Sequence, residues 1–331
     1  MTTNRETFHP TGIQYHLKKG ETSAIISSVG ATLRSFRFQN ESYVEETPID
    51  EMASKARGQM LIPWANRVAD GRYVYQGVSY QLPINEIALN NSIHGLVRWQ
   101  EFDLISHSVD TLALRYLLVP SPGWPFILET TINFELKDAL LLISINFKNR
   151  GTTSAPLVFG SHPYLKIPNR PVQECSLYVP ANQLWLVDER KNPVEKVSVD
   201  DSASLKALVG PSADTVDLDF RSPRRIGGTY LDYAFTDLIN SSGQAQQSTP
   251  DHAMLDSFDR AYITDGTRKC GIFYDQNFDH VQAYFDSSNP SNASIALEPM
   301  TGPPNAFNLE PDSHVLEPFE TKDLQWGIFI E

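Results

Sequence analysis

Apolar residues along the chain come in short runs, and the longer runs alternate with polar residues at the two-residue period of a half-buried strand. Ile127 to Leu136 alternates in this way. Lys137-Asp138-Ala139 then reads as a turn and Leu140 to Phe147 as the hairpin partner, closed by Asn149-Arg150-Gly151. Thr111 to Leu118 precedes this pair and is stopped by Pro120 and the turn Ser121-Pro122-Gly123. Ser23 to Val29 (ended by Gly30), Gln282 to Phe285, Ile295 to Leu297 and Trp326 to Ile330 are further strand candidates. Regular turn signals and 22 prolines work against long helices. The pattern predicts a mainly β protein: one large antiparallel β-sandwich, with residues 1–331 as a single domain. Two stretches break the alternation. Glu46 to Arg57 reads equally as one or two helical turns or as a polar loop. Asn240 to Asp256 is Ser/Gln-rich, nearly free of strand formers, and expected to be a polar surface insertion.

Composition narrows the function class. Of 331 residues 41% are hydrophobic, ample for a large core. The formal net charge of −13 repels nucleic-acid phosphates and anionic membranes, so neither is expected as a partner. Only Cys175 and Cys270 occur, outside any C-x-x-C pair, which fits reduced thiols rather than a disulfide framework or a metal site. The opening residues Met1 to Glu6 lack the apolar core of a signal peptide. No window reaches the roughly 18 unbroken apolar residues of a membrane helix. A cytoplasmic protein is expected, as a monomer or homodimer.

The candidate chemistry is acid–base. Glu298 follows the apolar strand Ser294 to Leu297 and precedes Pro299-Met300-Thr301-Gly302-Pro303-Pro304, a run expected to end that strand at once. A carboxylate with its backbone fixed on both sides suits proton transfer. Asn91-Ser92-Ile93-His94-Gly95 and Phe159-Gly160-Ser161-His162-Pro163-Tyr164 supply possible acid partners. Gly95 lets the chain turn tightly beside His94, and Pro163 biases His162 toward extended backbone. Taken singly, either histidine serves as readily in the structure as in chemistry. His280, at a strand start, reads as structural. Arg67, in Trp64-Ala65-Asn66-Arg67 before the Asp70-Gly71 turn, offers a donor fork suited to sugar hydroxyls or to a loop-locking salt bridge. No metal spacing and no cofactor motif is present.

Five motifs in order then carry a resemblance. Asn66-Arg67 to Tyr73, Asn91 to Gly95, Gly160 to Tyr164, Leu231 to Phe235 and Glu298 to Ala306 closely resemble those of the aldose 1-epimerase (galactose mutarotase) family. The similarity runs from about Gly20 to the C-terminus. It implies a galactose mutarotase-like β-supersandwich that interconverts α- and β-anomers of a free aldohexose, without cofactor. By this resemblance Glu298 is the general base and His162 the general acid. His94 would hydrogen-bond the sugar near its ring oxygen and anomeric carbon, while Asn66, Arg67 and Asp232 would grip ring hydroxyls. Acid and base are expected on opposite sides of the C1–O5 region. Tyr233 stands after Asp232, where many members carry histidine, which leaves the preferred sugar open. Two alternatives remain: a hexose 6-phosphate mutarotase, with Arg98, Arg224 and Arg225 as candidate phosphate ligands, and a non-catalytic sugar-binding protein on the same scaffold.

Overall fold

The computed structural model describes residues 8–201, 204–205, 217–239, 253–287 and 293–331. Most of the polar 240–256 segment lies outside the described residues; its end forms a 3-10 turn, Ala253–Ser257. Two large antiparallel sheets dominate. One runs in the order Asp103–His107, Thr111–Leu118, Leu128–Lys137, Leu140–Asn149, Thr321–Ile330, Lys269–Tyr274, Asp259–Thr264, Ser176–Tyr178 and Arg224–Arg225. The other runs Pro193–Ser198, Ala181–Val187, Leu231–Leu238, His280–Phe285, Ile295–Met300, Gly160–Ser161 and Met60–Leu61, with Tyr164–Leu165 also on Ile295–Met300.

The two-residue period decides which side chains fill the core. In Leu128–Lys137 the residues Leu128, Thr130, Ile132, Phe134 and Leu136 are buried, while Asn133 and Glu135 face solvent. Ala139 takes a left-handed φ of 52° in the turn, and Leu128↔Asn149 to Lys137↔Leu140 pair in unbroken register, as the hairpin reading requires. Rings bridge the layers: Phe147 meets Phe159 at 5.7 Å, and Phe159 meets Phe278 at 6.0 Å. Each such buried ring contributes roughly 1.5–3 kcal/mol relative to exposure. Cys175 and Cys270 are buried free thiols. Glu46 to Arg57 is loop with one short turn, Ser54–Ala56. His280 opens its strand; its Nε2 accepts from Trp185 Nε1 at 3.1 Å and its Nδ1 lies 2.6 Å from Asp279 Oδ1, a structural use.

One strand departs from its expected end. Ile295–Met300 continues through Glu298 and Pro299, with Gln282↔Glu298 and Val281↔Pro299 paired on one side. Pro299 is tolerated in an interior strand because the neighbour on the other side is broken there. Gly160 pairs with Met300 and Tyr164 with Ala296, so no ladder bond is required between them. His162-Pro163 fills that break, opposite Glu298-Pro299.

Candidate active site

The break in the ladder brings the candidate acid and base together. His162 Nε2 lies 3.3 Å from Glu298 Oε1, and their side chains are only 7% and 2% exposed. The His162 backbone is fixed by its N–H donating to Gln59 O at 3.1 Å and its carbonyl accepting from Gly58 N at 2.9 Å. Its ring stacks on Tyr164 at 5.0 Å and meets the edge of His94 at 5.2 Å. The two groups stand side by side rather than on opposite sides of a substrate. That suits a sugar, because O1 and O5 are bonded to the same carbon.

Strand register supplies the rest of the floor. Directly opposed residues of an antiparallel pair share a face, as do residues two apart. Gln282↔Glu298 and Asp232↔Tyr284 therefore put Glu298, Gln282, Tyr284 and Asp232 on one face of the sheet. Gln282 Nε2 donates to Asp232 Oδ1 at 2.9 Å. The walls come from loops. Asn66 and His94 adopt left-handed φ values of 54° and 63°, and His94 N–H donates to Asn66 O at 2.9 Å. Asn66 Oδ1 accepts the Arg67 N–H at 2.9 Å. Arg67 lies in a short strand, Arg67–Ala69, paired with Asn91–Ile93.

All six sequence-predicted residues, Asn66, Arg67, His94, His162, Asp232 and Glu298, line one cavity of about 260 Å³. A larger hollow of about 660 Å³, beside Lys166 and Arg170, contains none of them. Sequence reasoning missed Lys55, Glu86, Gln282 and Tyr284 in the same lining, and Lys191, whose Nζ is 4.0 Å from Asp232 Oδ2. Only Gln282 left a readable signal, a polar side chain inside an otherwise buried strand. Arg67 makes the loop salt bridge, with Glu86, and also lines the cavity. Glu298 Oε2, Gln282 Oε1 and His94 Nδ1 are buried without a hydrogen-bond partner in the protein. Buried polar atoms are rarely left so, and all three belong to residues that line this cavity, which suits a hydroxyl-rich ligand. Among the described residues, no three of His, Cys, Asp and Glu come together as metal ligands.

A model of the aldose 1-epimerase family matches residues 14–326. The chain belongs to the aldose 1-epimerase family. It is 33% identical over 322 residues to the uncharacterized protein YihR of Escherichia coli K12, covering 97% of this chain and 94% of that one. Its fold matches a galactose mutarotase-like protein from Clostridium acetobutylicum with a TM-score of 0.76 at 17% identity, over 96% of this chain and 94% of the other. It also matches galactose 1-epimerase from Lactobacillus acidophilus with a TM-score of 0.72 at 18% identity, over 96% and 93%. Identity this low speaks for the fold alone. The epimerase fold of this chain is the mainly β, antiparallel architecture that the strand pattern implied. No helix among its described residues is long and apolar enough to cross a membrane.

Charge in this cavity is tuned by burial. Burial, and then Arg98, push His162 down to about 3. Burial, and then His162, push His94 well below the usual imidazole range. Burial, and then Asp232, push Glu298 well above the carboxylate range, against the pull of Arg67. The signs predict opposite pH dependences. The unfolded chain protonates its histidines below about pH 6.5, so the stability that His162 and His94 contribute is lost as pH falls through that value toward 3. Glu298 favours the fold while protonated, so its contribution is lost as pH rises through its elevated pKa. At pH 5 a neutral His162 forfeits about 2 kcal/mol. Melting temperatures taken between pH 7 and 5 should therefore fall less steeply in His162→Asn than in the wild type, and more steeply in Glu298→Gln. An acid limb in His162→Asn as steep as wild type would contradict the assignment.

Proposed function

We propose that this member of the aldose 1-epimerase family is a mutarotase interconverting the α- and β-anomers of a free aldohexose such as galactose or glucose. The observation that carries this reading is the buried His162–Glu298 contact of 3.3 Å on the cavity floor. The pair shares one proton. At rest burial keeps that proton on Glu298; in the reactive tautomer it has moved to His162, so that Glu298 takes the O1 hydroxyl proton, the C1–O5 bond breaks, and O5 receives the proton of His162 Nε2. C1 becomes the aldehyde carbon, the C1–C2 bond rotates, and the same two transfers in reverse close the ring from the other face. No proton is gained or lost in the cycle, and each transfer contributes about 10²–10⁴-fold. Asn66, Arg67, His94 and Asp232 are the proposed hydroxyl and ring-oxygen contacts. A cytoplasmic location fits an intracellular free sugar.

Charge supports a neutral substrate. The cavity lining sets Glu86 and Asp232 against Lys55 and Arg67, with Glu298 held protonated by burial, so no surplus of positive charge is offered to a phosphate. The arginines that the sequence offered as phosphate ligands do not line it. Arg224 binds Asp219 O at 3.1 Å and Arg225 binds Gln173 O at 3.3 Å, at the far edge of the nine-stranded sheet. Arg98 is pushed down to about 10 by its burial. The test is polarimetry on freshly dissolved α-D-glucose, α-D-galactose and glucose 6-phosphate. Both free sugars should show a higher kcat/KM than the phosphate. A preference for the phosphate would overturn the substrate class and draw attention to Lys55 and Lys191. The absence of any acceleration would leave a sugar-binding protein.

A further inference from the structure

Arg67 is held by a carboxylate that no motif contains. Its Nε donates to Glu86 Oε2 at 2.9 Å and Oε1 at 3.2 Å, and its Nη2 donates to Oε1 at 2.9 Å. Nη1 has only a long contact, 3.4 Å, to Asn66 Oδ1. Both side chains are largely buried, at 13% and 20% exposed. Glu86 is itself anchored: Asn91 Nδ2 donates to its Oε2 at 2.9 Å, and the two backbones exchange hydrogen bonds of 3.1 and 3.2 Å. Asn91 is fully occupied inside the protein, since Nδ2 also donates to Arg190 O at 2.9 Å and Oδ1 accepts from Asn192 Nδ2 at 3.2 Å. The N-x-x-H-G motif therefore divides its work, with Asn91 holding Glu86 while His94 lines the cavity.

We propose that Glu86 is a positioning residue: it keeps the Arg67 guanidinium off Asp232 and Glu298 and leaves its outer Nη donors for the sugar. This rests on the mutarotase reading above. Asp232 and Glu298 both attract Arg67 across the cavity. Without a competing carboxylate, a buried guanidinium collapses onto the nearest anion, because an unpaired buried charge is costly. Such a collapse would occupy the groups that hold and deprotonate the sugar. A bidentate partner at the side fixes both the plane and the direction of the fork.

The test uses the full chain with D-galactose and D-glucose as probes. Glu86→Gln should raise KM about tenfold or more with kcat within about threefold, and Glu86→Asp, which keeps the charge, should be rescued part of the way. Adding Arg67→Lys to Glu86→Gln should cost little beyond the worse single variant, because both act through the same contact. Unchanged KM in folded Glu86→Gln, or fully additive losses in the double variant, would overturn the proposal, since a residue that only stabilises the loop lowers the melting temperature without changing KM. A wild-type chain that binds these sugars without turnover ends the mutarotase reading alone, and the Kd series by calorimetry across the same variants then decides Glu86. A chain that binds neither sugar removes both.

Discussion

Glu298→Gln is expected to lower kcat for anomer interconversion by about 10²-fold or more while leaving sugar affinity nearly unchanged. The substitution keeps the size of a side chain that is 2% exposed inside an interior strand, so the register with Gln282 is retained. What disappears is the group that exchanges a proton with O1, because an amide does not accept that proton at neutral pH. His162→Asn removes the other half of the transfer and should match it. Asp232→Asn and Arg67→Lys should instead act mainly through KM, since hydroxyl contacts exist in the ground state and the transition state alike. Initial rates by polarimetry across a sugar concentration series separate the two classes. A near-wild-type kcat in Glu298→Gln would mean that another group is the base.

Gly95→Ala should be among the most destabilising single changes in the chain. Gly95 has φ 73°, and a Cβ there would sit 2.0 Å from Ile62 O and 2.4 Å from Ile62 C. Those are backbone atoms of a buried segment that also pairs with Gly95 and accepts the Leu96 N–H at 2.7 Å. Relief requires moving the Ile62 chain, and with it Asn66 and His94. The left-handed backbone alone costs an alanine about 1–2 kcal/mol. With the displaced buried backbone the total should exceed about 3 kcal/mol, at roughly 1–2 °C of melting temperature per kcal/mol for a chain of this length. Gly77→Ala is the control: its φ is 76°, but nothing lies within 4 Å of the added Cβ. Equal melting temperatures for the two variants would show that the clash is absorbed and the prediction wrong. A destabilised Gly95→Ala should also lose activity, because His94 directly precedes the strained position.

Strand identity and the 128–149 hairpin were readable in the sequence, because side-chain alternation and turn chemistry act over a few residues, while the six cavity residues were marked out by the resemblance of their motifs to the family. The extended Ile295–Met300 strand was not, since Pro299 is acceptable there only because its neighbour breaks at His162-Pro163, well over a hundred positions away. The same break decided that His162 and Glu298 touch side by side. Sheet order is a property of long-range packing: nothing local says that Gln282 lies opposite Glu298, or that Asp232 shares a face with Tyr284. Loops were the least legible. Lys191 reaches Asp232 from a turn tied down by Asn91, and Glu86 meets Arg67 because its loop returns through the Arg67↔Ile93 pairing. Those contacts are chosen by which buried polar groups the folded chain brings within hydrogen-bond distance, and the penalty for leaving such groups unpaired exists only once water has been excluded.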